Sequence, residues 1–230
     1  MSTIVIRKRD QHDEDIEIIF ENLKDVQKKG VIHLGAHKGE EVDFYFRNHI
    51  KNIILVEANP ELYNALIDIK FKNKVNIYNY AISDNSGYLD FYVHESNNGI
   101  ESSSLFKMDK FDKIVTSLKT SKKIKVNAIT IDSFIEKENI NLNDYNILIS
   151  DIQGADYFAL MGASHTLLKI DAVIVEGQFI ELYENFISID KIDALMSLNG
   201  FDKVLVIEHE LYQGENYFPA WGEILYKKKK

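Results

Sequence analysis

The 230-residue sequence predicts an α/β fold built on a mostly parallel sheet with helices on both faces. Three observations carry that expectation. Short runs of consecutive apolar residues recur along the chain, the stretches between them repeat apolar residues at helical spacing, and only two prolines and eleven glycines interrupt the sequence. Runs that are apolar throughout, instead of alternating, belong to strands covered on both faces, as parallel strands are. Strand and helix patterns in alternation imply right-handed βαβ units. With no linker and no repeat, residues 1–230 read as one domain, whose first 30 residues form a strand and helix extension.

The elements follow in order. Ile16, Ile19, Phe20 and Leu23 set one apolar stripe on a helix ahead of the first buried strand, 31–34. The second strand, 53–56, runs to Asn59, a capping residue, with Pro60 at the first helical position and Leu62, Leu66 and Ile69 on one side. Residues 147–149 and 172–175 are two further buried strands. Ser188 then opens a helix carrying Ile189, Ile192, Leu195 and Met196, which Asn199 and Gly200 close. Residues 203–207 and 223–226 read as two strands joined by an aromatic-rich loop, an antiparallel terminal hairpin expected at the sheet edge. The stretch 94–122 breaks the rhythm, with Asn97, Asn98, Gly99 and three consecutive serines inside it. Its length fits either a lid over a substrate site or a plain excursion of the chain.

Composition excludes several chemistries. Without cysteine there is no disulfide, no thiolate nucleophile and no cysteine-ligated metal. A formal charge of -9 argues against nucleic acid or an anionic membrane as partner, since both reward a basic face. The lysines at 227–230 read as a solvated tail. No apolar stretch has signal-peptide character or approaches the length that spans a bilayer, so the expectation is a soluble, cytoplasmic protein.

The chemistry concentrates at strand ends. The first buried strand runs directly into Gly35-Ala36-His37-Lys38-Gly39, where small residues let the backbone turn sharply and approach a ligand. Ligands of open α/β sheets bind outside the carboxyl ends of the strands. Glu57 ends the next strand, 22 positions after Gly35, close to the spacing at which an acid bonds ribose hydroxyls in nucleotide sites. Its alternative is to cap the following helix, a post that Asn59 already suits. Ala36 and His37 break the dinucleotide fingerprint, and there is no phosphate loop. A nucleoside without phosphates fits the turn, and S-adenosylmethionine is the common one.

With these pieces in place, the sequence resembles the FkbM-type methyltransferases, a branch of the Rossmann-like class I family that uses S-adenosylmethionine. The matching segments keep family order from about Val31 to Phe201: residues 32–41 with the run Gly35-Ala36-His37-Lys38-Gly39, Val56-Glu57-Ala58-Asn59-Pro60, residues 81–87 beginning Ala81-Ile82-Ser83-Asp84, Ser102-Ser103-Ser104-Leu105, Thr130-Ile131-Asp132, residues 149–156 with Ser150-Asp151-Ile152-Gln153-Gly154, Met161-Gly162-Ala163 and Val175-Glu176. The resemblance implies a seven-stranded sheet whose last strand is antiparallel. It implies that Gly35, Ala36, His37 and Gly39 line the methionine part of the cofactor and that Glu57, Ala58 and Asn59 lie at its ribose. Ala81 and Ile82 would lie against the adenine. Members often carry Asp at the position of His33 and Lys or Asn at that of Ser150, so a cation before Asp151 is lacking here.

Asp151, at the end of the strand 146–150, is the foremost candidate for the reaction centre, both as base toward an acceptor hydroxyl and as a cofactor contact. Glu176, at the end of the neighbouring strand, joins it; His37 on the turn is the third candidate. The two acids could share base and acceptor-holding roles, hold a divalent metal through oxygen, or simply bond loop amides. Metal is not favoured: His33 and His37 are four apart, but on a strand and a turn, where that spacing shares no face. His33 reads as a satisfied core histidine, and His37 as a ligand contact or scaffold. Tyr212, Tyr217, Phe218 and Trp221 read as hairpin packing ahead of a pocket wall. The expected activity is O-methylation of a hydroxyl on a small molecule or sugar, as of surface polysaccharide or secondary metabolites. The alternatives are an RNA 2′-O- or N-methyltransferase on the same fold and a non-catalytic cofactor-binding module.

Overall fold

In the computed structural model, which describes residues 3–7, 14–68, 75–96, 99–100, 102–108, 119–213 and 216–229, parallel strands and helices alternate as the sequence predicts. The strands are β1 (Thr3–Arg7), β2 (Gly30–Leu34), β3 (Asn52–Val56), β4 (Asn76–Tyr78), β5 (Ala81–Ile82), β6 (Gly87–Ser96), β7 (Gly99–Ile100), β8 (Lys119–Ile129), β9 (Ile147–Ser150), β10 (Ala172–Gln178), β11 (Phe201–Gln213) and β12 (Asn216–Lys228). The helices are α1 (Asp15–Glu21), α2 (Val42–Arg47), α3 (Pro60–Leu66), α4 (Ile131–Lys137), α5 (Asp156–Met161) and α6 (Ile189–Leu198).

The main sheet has the order β1-β11-β12-β10-β9-β2-β3-β4. The seven expected strands are all there, and β12 alone runs antiparallel, to both β10 and β11. Two features differ from expectation. The terminal hairpin does not form the edge, because β12 inserts between β10 and β11, and β1 adds an eighth strand, parallel, outside β11. The aromatic-rich loop is instead the far end of that long hairpin, paired as far as Gln213 with Asn216.

Each central strand is apolar throughout because both of its faces are covered. Ile32, Leu34, Ile54, Val56, Leu148, Val173 and Val175 meet Phe134 of α4, Leu160 of α5 and Met196 of α6. The alternate residues Val31, Ile53, Leu55, Ile147, Ile149 and Ile174 meet Phe20 of α1, Tyr45 of α2 and Leu66 of α3. Each such side chain, fully buried, contributes about 1.5–3 kcal/mol by leaving water. The Asn59 start behaves as read, accepting from Glu61 N–H at 2.9 Å, while Ser188 precedes α6 without a side-chain cap bond. Thr130 caps α4, accepting from Ser133 N–H at 3.1 Å. Ile69 lies outside the described residues.

Part of the stretch 94–122 is strand. β6 and β8 pair antiparallel from Gly87 with Ala128 to Glu95 with Lys119, with an irregularity between Val93 and His94, and with β5 and β7 they make a second, four-stranded sheet. Phe91, Val93, Val126 and Ala128 bury its inner face. Residues 102–108 fold back over it: Ser104 exchanges main-chain hydrogen bonds with Tyr92, and Glu184 N–H donates to Lys107 O at 2.8 Å. Lys228 and Lys229 are not a loose tail, and Lys230 lies outside the described residues. Lys228 donates to the carbonyls of Leu167 and Asn199 over the ring of Phe201, and Lys229 pairs with Asp202 at 3.5 Å.

Candidate active site

At the carboxyl ends of β2, β3 and β9 the chain opens a cavity of about 750 Å³, within the range of small-molecule sites. The glycine turn forms its floor. Gly35 has φ +79°, and a Cβ there would lie 1.8 Å from the main-chain oxygen of Asp151, so only glycine lets β2 leave the sheet beside β9. Asp151 N–H donates to Leu34 O at 3.0 Å and fixes that approach. His37, with φ +45°, and Gly39, with φ +75°, complete the turn, which Gly39 N–H closes on Ala36 O at 2.7 Å.

Glu57 ties this turn to β3. Its Oε2 accepts from His37 N–H at 2.9 Å and its Oε1 from Asn59 N–H at 2.8 Å. The carboxyl is 6% exposed, and burial raises its pKa to about 7 even though these two bonds favour the charged form. Each oxygen keeps a second lone pair for a hydroxyl donor from the cavity. The helix-capping post belongs to Asn59, as its sequence position suggested.

Gly35, Ala36, His37, Glu57, Ala58, Ala81, Ile82 and Asp151 all line the cavity, so the structure brings together eight sequence-predicted positions from four separate segments. Gly39 and Asn59 stand behind the wall as supports. Glu176 also stands behind it, on β10 two residues before that strand ends, and reaches the site through Gln153. His37 Nδ1 bonds Glu40 Oε1 at 2.9 Å, which turns its ring toward the start of α2. His33 is buried, as a core histidine would be, and its Nδ1 lies 3.0 Å from Tyr45 Oη. It nonetheless lines the cavity, and burial lowers its pKa to about 4, leaving a neutral ring.

Sequence reading missed several groups. Glu223 faces Glu176 across the β10–β12 pair, and one carboxylate oxygen each from Asp151, Glu176 and Glu223 come within 4.8 Å of one another. Nothing local marks Glu223; the register of two strands far apart in sequence creates the cluster. All three carboxyls are raised in pKa, first by burial and then, for Glu176 and Glu223, by the charge of Asp151. Gln153 Nε2 donates to Asp151 Oδ1 at 2.7 Å and to Glu176 Oε1 at 3.0 Å. Three acids are a donor set for a hard cation, and the Gln153 amide donates to two of them.

The whole cavity is acidic. Asp15 and Glu17 of α1, Glu40 and Glu41 ahead of α2, Glu57, Asp151 and Glu223 line it, against Arg47 as the one lysine or arginine among the lining residues. Such a field favours a cationic ligand. Trp221 is core: it stacks on His209 at 5.6 Å beside Leu182 and Tyr183.

Seven strands in this order with one antiparallel member, and a glycine turn facing a strand-end acid, define the Rossmann-like methyltransferase class. The methyltransferase FkbM domain matches residues 33–203, and the chain belongs to that family: it is an S-adenosylmethionine-dependent methyltransferase. No curated protein matches it. Among solved structures, one described as an S-adenosylmethionine dependent methyltransferase from Listeria monocytogenes is 11% identical, covering 96% of this chain and all of that one, with a TM-score of 0.56. A protein from Streptococcus pneumoniae, described as a tRNA (m1A22) methyltransferase in complex with S-adenosylmethionine, is 11% identical over 94% of this chain and 73% of its own, with a TM-score of 0.49. At these identities the likeness concerns the fold. Among the described residues no helix is long and apolar enough to cross a membrane.

Proposed function

We propose that this enzyme methylates a hydroxyl oxygen of a small molecule or sugar, with Asp151 as the base. The observation that carries the reading is the placement of Asp151: its Oδ1 is held by Gln153, no hydrogen bond reaches its other oxygen among the described residues, and it lines the same cavity as Glu57. Burial raises the pKa of this carboxyl, which makes it a stronger base than an exposed aspartate. S-adenosylmethionine, when bound, supplies a methyl already activated on a sulfonium. The protein is then left to orient the acceptor and take its proton.

The chain's residues divide that work. Glu57 accepts from the ribose hydroxyls with the lone pairs its backbone donors leave free. Gly35, Ala36 and His37 bound the methionine end, and Ala58, Ala81 and Ile82 the base. The acids of the cavity suit a sulfonium and an ammonium group. Asp151 would receive the acceptor's hydroxyl proton as the oxygen takes the methyl and the sulfonium leaves as a neutral thioether, with Glu176 and Glu223 within 4.8 Å of it. The acceptor end is walled by Ile16, Ile19 and Phe20 of α1, which precede the span that matches the family. Ser102, Ser103 and Leu105 also face the cavity, which supports a lid role for the centre of the 94–122 stretch.

A neutral or cationic acceptor fits the seven acids, whereas a polyanion would meet like charge across the mouth. Labelled methyl transfer to a panel of sugars, amino sugars and small alcohols, with total RNA in parallel, tests the reading. Transfer to a panel member, abolished in Asp151→Asn, is expected. Transfer to RNA alone would overturn the acceptor class.

A further inference from the structure

Asp151, directly after β9, and Glu176, on the neighbouring β10, are joined by a single side-chain amide. Gln153 Nε2 carries two protons, and one goes to each acid, at 2.7 and 3.0 Å. At the other end of the amide, Oε1 lies 2.9 Å from the Tyr183 hydroxyl, which is also 3.0 Å from Ser102 O. Ser102 O is supplied by another donor: it lies 2.7 Å from His94 Nδ1, and because a carbonyl only accepts, the proton belongs to that nitrogen. Ser102 O keeps a second lone pair, so the single Tyr183 proton has two acceptors, of which Gln153 Oε1 is the nearer, at 2.9 against 3.0 Å. With Nε2 donating to the two acids, the amide oxygen faces the Tyr183 hydroxyl, and donation from that hydroxyl favours this orientation.

The main chain of Gln153 is held as firmly. Its φ is +55°, that of Gly154 is +90°, and Ser104 Oγ donates to Gln153 O at 2.7 Å. A left-handed glutamine persists only where its surroundings over-determine it. Two close carboxylates repel strongly in a low-dielectric site. A lysine between them would offset that repulsion but cancel the charge a base needs; a neutral amide holds both and leaves the charge in place.

We propose that Gln153 is the positioning residue of the methyl-transfer site, and that Tyr183 orients it, so that Asp151 and Glu176 present one fixed arrangement to the acceptor. The proposal rests on the methyltransferase reading of the cavity. It ties the wall segment around Ser102 to the acids through Tyr183, so that seating this segment and setting the carboxylates are one event. The other charged or titratable groups around the pair are His33 on β2, His37 on the glycine turn, Glu40 and Glu41 ahead of α2, and Asp156 on α5. Glu223 on β12, with Asp15 of α1 behind it, and Tyr183 complete the surroundings. Among the described residues only Gln153 donates to both acids.

Two cofactor analogues test this without a known acceptor. S-adenosylhomocysteine has a neutral sulfur, and sinefungin carries an amine where the methyl would be. Their affinity ratio reads the negative charge held at that point, and S-adenosylhomocysteine alone reads the intact cleft. Calorimetry from pH 5 to 9 should show wild-type preference for sinefungin rising as the acids ionise. In Gln153→Leu the midpoint of that rise should move up by about one pH unit, since the acids lose two donors that favour their charged form. Tyr183→Phe should move it in the same direction by less, and Gln153→Glu, which adds a carboxyl, by more. Wild-type midpoints in Gln153→Leu and Tyr183→Phe, with unchanged S-adenosylhomocysteine affinity, would overturn the proposal. Should Gln153→Leu fail to fold, Tyr183→Phe decides on the same criterion. No binding of S-adenosylhomocysteine to the wild type would contradict the cofactor reading itself, and the proposal would fall with it.

Discussion

The backbone N–H of His37 donates to Oε2 of Glu57 at 2.9 Å, so the carboxylate at the end of β3 holds the glycine turn at the end of β2 in place before any ligand arrives. Burial costs that carboxylate its charge at mild acidity: its pKa is raised from 4.5 to about 7. Between these values the unfolded chain is ionised while the folded one is protonated, so the native state binds the extra proton and stability falls as pH rises. Below 4.5 the effect is absent and above about 7 it is complete, at about 3 kcal/mol. Glu57→Gln does not titrate. Its stability relative to wild type should therefore improve by about that amount from pH 4.5 to pH 8 in urea melts. A constant difference across that range would show that Glu57 is not the group described.

The approach of β2 to β9 depends on Gly35. Gly35→Ala adds a Cβ 1.8 Å from Asp151 O at a φ of +79°, so a strand must shift. A loss of stability above about 3 kcal/mol is expected, through strain at a left-handed position combined with overpacking. Near-wild-type urea midpoints in Gly35→Ala would mean that the turn tolerates displacement.

Chelation separates a proton-sharing cluster from a cation site. Gln153 covers oxygens of Asp151 and Glu176 with amide protons, so methyl transfer should proceed unchanged in excess EDTA. Activity lost on chelation and restored by Mg²⁺ would turn the three carboxylates into ligands.

Asp132 anchors the loop after α5 and illustrates an exposed-edge acid with structural work. Its carboxylate accepts from Ser164 Oγ at 3.1 Å, His165 N–H at 2.9 Å, and Thr166 N–H and Oγ1 at 2.8 and 2.7 Å. Asp132→Ala strands these donors and should cost about 2–4 kcal/mol without altering S-adenosylhomocysteine affinity. Weakened cofactor binding with unchanged stability would place it in the site instead.

The elements legible in the sequence were those whose signal is local. The strand at Val31, the Asn59-Pro60 helix start and the Gly35 turn each state their structure within a few residues, and Glu57 and Asp151 followed because strand ends converge on one edge of such a sheet. What escaped depends on pairing between distant segments. The β6–β8 hairpin hides because its strands are separated by residues 97–118 and its register slips at Val93 and His94. Glu223 gains meaning only from the register that sets it against Glu176, and Gln153 only from the two acids within reach of its amide. The lysines near the chain end looked solvated because charge was weighed without the carbonyls of Leu167 and Asn199, which Lys228 reaches.

The central claim is that the cofactor lies in this cleft with its ribose on Glu57 and its reacting end at Asp151. Calorimetric titration of S-adenosylhomocysteine into wild type, Glu57→Ala and Asp151→Asn tests it most directly. The account predicts binding by the wild type, affinity weakened at least about tenfold in Glu57→Ala, a loss of about 1.4 kcal/mol or more, and near-wild-type affinity in Asp151→Asn. Equal affinity in Glu57→Ala and wild type, or no binding by the wild type, would contradict it.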